Sequence, residues 1–270
     1  MVKEYLIKNK MTKMKKMIYV LALLPFMFCS CEDKVSDQQG ESGEEMKKLI
    51  KELVYQDDED SDWKEVYSFV YDSVGRLKKV RIYEGKEVDE EMIYEYNDGV
   101  LLVKSAENDP DPVLVYFEDE GLVTSLNDKY SKSYFTYDDN SCLQTLIHKS
   151  SGYERTTSYI WKGGNVAAEV TTDNSSNSSK CTYTYYDIAD KLNIDVFSLF
   201  EAGVMGLDFE TMDKSVFRGI YNRNLLKRIE ELDESGRPRY IHSFSYEFDS
   251  DGYPTKISIL EWGATISIKY

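Results

Sequence analysis

One short pattern recurs along this chain. It has an aromatic residue at its third position, then a turn of Asp, Asn, Ser or Gly, then aliphatic residues. It reads FVYDSVGRLKKVRI at 69–82 and YEFDSDGYPTKI at 246–257. Between them stand YEYNDGVLLV (94–103), VYFEDEGLVTSL (115–126), FTYDDNSCLQTLI (135–147) and YIWKGGNVAAEV (159–170). YYDIADKLNI (185–194) is a degenerate copy, and YNRNLLKRI (221–229) keeps mainly the second half. The third-position aromatics are Tyr71, Tyr96, Phe117, Tyr137, Trp161 and Phe248, the first five separated by 25, 21, 20 and 24 residues. A fixed period built on one supersecondary unit restricts the fold more than any single motif does.

Each copy has the chemistry of a β-hairpin. Asp, Asn and Gly supply the backbone angles of tight turns. The strand before each turn alternates with period two, as in Tyr67, Phe69, Tyr71, or Phe244, Tyr246, Phe248, with Ser68, Ser245 and Glu247 between them. One face is aromatic and the other is polar. A second set of turns joins the copies: EGKEVD (84–89), ENDPDP (107–112), NDKYSK (127–132), KSSGYE (149–154), DNSSNSSK (173–180) and DESGRP (233–238). The expectation is an all-β antiparallel meander. Two strands per copy give on the order of 14–16 strands, which curl into a soluble barrel or half-barrel with the aromatic face inside. The outward face carries Lys, Glu, Asp and Ser, not the apolar belt of a membrane barrel.

Two stretches break the meander. EEMKKLIKELV (44–54) places Met46, Leu49, Ile50, Leu53 and Val54 at helical spacing, predicting a short N-terminal helix capping the sheet. Residues 191–217 are apolar without strand alternation and predict a mostly non-strand insertion, a plug or lid and the first place to seek function.

The N-terminus has a different character. Residues 1–17 carry six lysines and one glutamate, followed by the apolar run Ile18–Phe28 and then Cys29, Ser30 and Cys31. The run is too short to span a bilayer as a helix. Basic region, apolar region and small residue in this order predict a signal peptide over 1–30. Met11, Met14 and Met17 allow a start downstream of Met1. FCSC (28–31) resembles a lipobox, which implies cleavage before Cys31 and a lipid on that cysteine. The polar stretch 31–43 is then a flexible tether, and 44–270 a single domain.

Charge narrows the partners. Removing 1–30 takes six lysines from 33 basic residues and one glutamate from 49 acids, leaving 27 and 48, a net of −21. This disfavours nucleic acid, and none is expected as a partner, since phosphate binding needs clustered Lys and Arg. Cys142 and Cys181 remain in an export compartment that permits one disulfide, and two independent thiols fit equally well.

The copies resemble YD-type repeats, with Tyr71-Asp72…Gly75 and Phe248-Asp249…Gly252 fitting best. NIDVFSLFEAG (193–203), NRNLLKRI (222–229) and YEFDSDGYPTKI resemble the ending of a family of Bacteroidota lipoproteins of unknown function with a porin-like β fold. Leu226 stands where that family has Pro. The resemblance implies a curved, many-stranded sheet at the outer membrane, on the cell surface or the periplasmic face, and supplies no catalytic residue.

Chemistry-bearing constellations are sparse. Asp249-Ser250-Asp251-Gly252 looks like part of a calcium loop, but Ser258 stands where an EF-hand has its bidentate Glu, so turn chemistry is the better reading. DDEDSD (57–62) is a solvated run of carboxylates. His148 and His242 are isolated, and His242 falls on the Phe244 side of its strand, predicting a buried histidine. Asp72-Ser73-Val74 resembles the short O-glycosylation motif of exported Bacteroidota proteins. No nucleophile elbow, zinc spacing or phosphate loop occurs, so neither an enzyme nor a cofactor site is expected, and no catalytic or metal residue is assigned. Aromatics outside the alternation, Tyr130, Tyr153, Trp63 and Trp262, are the candidates for stacking on sugars. The expected role is a lipid-anchored binding or scaffolding module, its membrane contact made through Cys31 and its ligand a glycan, a peptide or an envelope protein. The alternative is a carrier holding an apolar ligand inside the curved sheet under residues 191–217, and a hydrolase ranks below both.

Overall fold

The computed structural model describes residues 48–57, 64–85, 87–105, 111–118, 121–196, 213–217, 219–233 and 235–270. Sixteen strands follow in order: β1 (Glu52–Asp57), β2 (Lys64–Tyr71), β3 (Leu77–Glu84), β4 (Glu87–Asn97), β5 (Val100–Ser105), β6 (Val113–Phe117), β7 (Val123–Asn127) and β8 (Ser131–Tyr137), then β9 (Leu143–Ser150), β10 (Tyr153–Lys162), β11 (Asn165–Asp173), β12 (Ser178–Ala189), β13 (Asn224–Leu232), β14 (Pro238–Phe248), β15 (Pro254–Ile259) and β16 (Ala264–Lys269). Each pairs antiparallel with its sequence neighbours, and β1 pairs with β16, with Leu53 opposite Ile268 and Tyr55 opposite Ile266. The meander is therefore a closed barrel rather than a half-barrel, and among the described strands no edge is left unpaired.

The predicted helix over 44–54 is not formed in its described part. Residues 48–51 are irregular, and 52–57 are the strand that closes the barrel. The apolar spacing that suits a helix also serves this role. Ile50 and Leu53 are fully buried, and pairing with both β2 and β16 satisfies the backbone. Two ladders of long-range hydrogen bonds outweigh a weak local propensity.

The turns repeat one design. In the loop after β14, the Asp249 N–H donates to the Tyr253 carbonyl at 2.9 Å and the Gly252 N–H to the Asp249 carbonyl at 3.1 Å. The Asp249 Oδ1 accepts the N–H groups of Asp251 (3.0 Å) and Tyr253 (2.9 Å). Asp72, Asp138, Asp173 and Asp233 make the same set of bonds in their own loops. The aspartate closes the loop because a short carboxylate reaches N–H groups two and four residues ahead. The residue three after it takes a left-handed conformation, φ 75° at Gly252 and 61° at Ser141.

A register shift accompanies five of the third-position aromatics, Tyr71, Phe117, Tyr137, Trp161 and Phe248. A bulge here re-aims a side chain at the end of its strand. Tyr71, Phe117, Tyr137 and Trp161 pack against the core, as does Tyr96, which has no bulge. Phe248 departs from the predicted inward aromatic face. It is 39% exposed and stacks on Tyr246, with ring centroids 6.2 Å apart.

The core lies inside the barrel, at the end where these aromatics gather. Leu77, Val80, Leu101, Val115, Val123, Leu143, Val166, Ile257 and Ile266 are fully buried there. The outer face carries ion pairs instead. Glu91 joins Lys79 and Arg81 at 2.7 and 2.5 Å, Lys104 meets Glu95 at 2.7 Å, and Arg228 meets Glu230 at 2.7 Å. Such pairs add little stability, but they place charge where a lipid-facing band would have to be apolar.

Candidate functional site

The two ends of the barrel are built differently. At one end lie the turns after β2, β4, β6, β8, β10 and β14, together with the long connection from β12 to β13. The described parts of that connection cross the end and bind around its rim. The Asn193 Oδ1 accepts the Ile50 N–H at 3.0 Å, and its Nδ2 donates to the Tyr71 hydroxyl at 2.9 Å. The Asp213 Oδ2 accepts the Leu77 N–H at 2.6 Å and the Tyr96 hydroxyl at 3.0 Å. Phe217 meets Phe117 edge to face, and the Leu143 N–H donates to the Gly219 carbonyl at 2.7 Å. The Asn222 Oδ1 accepts from the Val166 N–H and the Tyr185 hydroxyl.

Leu192, Ile194, Val196, Phe217 and Ile220 bury their side chains beneath these bonds. The insertion expected at 191–217 is thus a stopper over one end, and its described polar groups are committed to holding it. Residues 197–212 lie outside the described residues. Four of the third-position aromatics, Tyr71, Tyr96, Phe117 and Tyr137, form the collar that receives the stopper, and this gives the repeat a purpose beyond hairpin formation.

The opposite end receives the short turns after β3, β7, β9, β11, β13 and β15. Period-two alternation from the buried positions carries the inward face down to it. Near this mouth the inward face turns polar. Ser133, His148, Arg155 and Asp173 stand in register across β8 to β11. One layer deeper run Phe135, Leu146, Thr157, Thr171 and Ser179. Tyr159, Glu169, Cys181, Glu231 and Tyr240 form a third row across β10 to β14. Ser133 Oγ and His148 Nδ1 are 3.1 Å apart, and the Thr157 and Thr171 hydroxyls 2.9 Å. On the facing wall the Tyr67 hydroxyl donates to Glu65 at 2.6 Å.

Glu169 is the one acid of this wall, among the described residues, whose carboxyl is pushed upward. Burial pushes its carboxyl above the ordinary glutamate range. Tyr183, Arg155 and Cys181 nearby favour the ionised form and only partly offset this. Its Oε2 is shut off from solvent and has no hydrogen-bond partner among the described residues. Burial first, then Glu169 and Glu231, push the Cys181 thiol up to about 12, which makes it a poor nucleophile. Cys142 and Cys181 are both free, the first in the turn after β8 and the second on this wall.

Around the mouth, Tyr130 is 75% exposed, Tyr240 46% and Tyr153 39%. Lys129 lies over the Tyr130 ring and Arg239 over that of Tyr240. Trp262 is half-buried and packs edge-on against His242, ring centroids 4.7 Å apart. The burial expected for His242 is partial, but sufficient to lower its pKa, with Glu261 opposing the shift. Trp63, Cys31 and 58–62 of the carboxylate run lie outside the described residues. The carboxylate of the calcium-like loop is used internally, by the turn amides on Oδ1 and by Lys48 on Oδ2 at 2.8 Å.

Neither a protein-family model nor a curated protein matches this sequence. Solved structures do. A porin-like protein from Bacteroides vulgatus ATCC 8482 aligns with TM-score 0.60 at 12% identity, over 82% of this chain and 98% of that one. A porin-like protein from Bacteroides uniformis ATCC 8492 aligns with TM-score 0.57 at 14% identity, over 82% and 97%. At such identities the likeness establishes a porin-like barrel fold and nothing about activity.

Proposed function

We propose that this protein is a membrane-tethered binding or scaffolding module of the bacterial envelope, held by a lipid on Cys31 and working through the open mouth of its barrel. The inequality of the two ends carries this reading. The described chain begins at the stoppered end, where Lys48 pairs with Asp249 at 2.8 Å and Asp251 at 2.5 Å. A tether arriving there leaves the aromatic mouth directed away from its anchor. The stopper closes the route a solute would take through an open porin, so capture at one end suits this barrel better than conduction.

The carrier alternative needs an apolar chamber. The apolar part of the lumen is filled by fully buried side chains, and the part near the mouth is lined by Ser133, His148, Arg155 and Glu169. That lining favours binding over carriage, and our reading remains non-enzymatic binding at the outer membrane of a ligand that tolerates a polar surface.

Metabolic labelling with a fatty-acid analogue tests the anchor. Label incorporates into the native chain and disappears in Cys31→Ala, whereas label that persists in the variant refutes the site. Protease shaving of intact cells then separates the cell-surface face from the periplasmic one.

A further inference from the structure

We infer that the outer wall of the barrel over β5 to β9 is an interface, and that its partner is a second copy of this chain. The inference concerns the outside of the barrel. It goes beyond the proposed binding role and does not depend on the anchor at Cys31.

The first observation is how charge is distributed around the wall. One outward row runs Glu91, Arg81, Ser68, Glu52 and Lys269, from β4 through β1 to β16. Every member but Ser68 is ionised. A second row starts on β4 and runs the other way round the wall to β12. Its members are Asn97, Val100, Tyr116, Ser125, Tyr134, Ile147, Thr156, Thr172 and Ser178. None of these carries a charge, in a chain where 30% of residues do.

The second observation is the apolar centre of that uncharged side. Leu102 stands opposite Leu114, Val100 opposite Tyr116, and Tyr134 opposite Ile147. Tyr134 is 41% exposed and the others are half-buried. Single apolar residues on a surface are ordinary, but a contiguous set marks a contact. Ser125, Asn127 and Thr156 lie among them, so the wall is not the continuous apolar band that lipid requires.

The third observation selects the partner. The chain has a net charge of −16, so two copies repel over most of their surface, and a side without acids is where they can meet. The margins of that side are also self-complementary. Glu95, Leu102, Leu114, Asn127 and Lys132 form one outward row across β4 to β8. Glu95 and Lys132 stand two strands either side of Leu114. A two-fold axis through β6, normal to the wall, exchanges those sides. Glu95 of each copy then approaches Lys132 of the other, and both side chains are long enough to reach across as two convex walls curve apart. No ion pair engages Lys132 among the described residues, and Glu95 stays 48% exposed beside Lys104. Five strands about 4.8 Å apart make a wall roughly 20 Å wide, the scale of a weak interface rather than an obligate one.

The test is sedimentation equilibrium of the full chain in a density-matched detergent, from about 1 to 200 µM. The chain forms a dimer with a micromolar dissociation constant. Tyr134→Asp weakens it about tenfold or more. Lys132→Glu and Glu95→Lys alone each weaken it about tenfold by setting like charges together, and the two in one chain restore most of the affinity. That rescue separates the interface from folding, since a chain too unstable to dimerise is not repaired by a second charge reversal. Ser68→Asp, on the charged side, dimerises as the native chain does. A chain that is monomeric at about 200 µM overturns the inference, and so does a dimer indifferent to the charge reversals. A monomer that adsorbs to neutral phospholipid vesicles, and loses this in Tyr134→Asp, gives the wall to a membrane and likewise overturns the second copy.

Discussion

The Asp213 carboxylate accepts the backbone N–H of Leu77 at 2.6 Å, across 136 positions of sequence. The same oxygen accepts the Tyr96 hydroxyl, and the other accepts the N–H and hydroxyl of Ser215. Asp213 is 1% exposed, so these donors have no water to turn to when it is removed. Asp213→Ala destabilises the protein by about 3 kcal/mol, the cost of stranding several buried donors. Thermal or urea unfolding measures it, and a loss well under 1 kcal/mol would show that the stopper is not held this way.

Gly219, in the connection from β12 to β13, lies hard against the turn after β8. Its φ is +73°, and an added Cβ would sit 1.9 Å from the Ser141 carbonyl oxygen, a backbone atom that cannot swing aside. Gly219→Ala costs about 2–4 kcal/mol, combining left-handed strain with displacement of the turn after β8. Gly152 has a similar φ of +74° and open space around it, so Gly152→Ala carries the strain alone, about 1 kcal/mol. Equal costs in paired urea titrations would contradict the close approach.

The turn aspartates predict how the fold responds to acid. The Lys48 side chain and the amides of Tyr253 and Asp251 hold the Asp249 carboxyl below its ordinary value. A lowered folded-state pKa means stability that is present above the unfolded value and lost as pH falls through the folded one. Asp173 and Asp233 are shifted the same way, the first mainly by the Asn177 side chain and the second mainly by the Ser235 side chain. Asp249→Ala strands the turn amides and lowers the melting temperature at neutral pH. Asp251, whose side chain is 59% exposed and pairs with Lys48, costs within about 0.5 kcal/mol when changed to Ala. Added calcium leaves the melting temperature unchanged, since both Asp249 oxygens are engaged within the protein. A rise with calcium would revive the metal loop.

Glu169 has the opposite sign. Its folded-state pKa is raised, so folding favours the neutral acid. Below the ordinary glutamate value of 4.5 the group is protonated in both states and costs nothing. As pH rises from there through the raised folded value, stability is lost. Glu169→Gln removes the titration. The variant matches the native protein in acid and melts at a higher temperature at neutral and alkaline pH. A lower melting temperature throughout would mean that the carboxylate supports the fold.

The hairpin repeat was legible because it is local. Aromatic alternation and Asp–Gly turns specify strands and loops within a dozen residues, and β2, β4, β6, β8, β10 and β14 fall where that pattern puts them. The bulges were not legible, since each depends on how Tyr71 or Trp161 meets its partner strand. Closure was hidden for a related reason. Ile50, Leu53 and Val54 suit a helix and a strand equally, and only β16, more than two hundred residues away, decides between them. The mouth was half visible. Tyr130 and Tyr153 are marked by the sequence, although Tyr153 proves to be in phase with Tyr159 on β10, but nothing local marks Glu169. It becomes notable only once Tyr159, Cys181 and Arg155 surround it.

The central claim is that the stoppered end faces the membrane and the mouth faces away. The described chain begins at Lys48, at the stoppered end, and the mouth lies a strand length beyond it. Val74 is 72% exposed at one end and Tyr130 75% at the other. The measurement is energy transfer from a fluorophore at either site to an acceptor in the bilayer. It uses lipidated protein in vesicles, as Val74→Cys or Tyr130→Cys with Cys142 and Cys181 changed to Ser. Transfer is stronger from position 74 than from position 130 if the tether enters at the stopper. Equal transfer, or stronger transfer from position 130, would contradict the orientation and the function built on it.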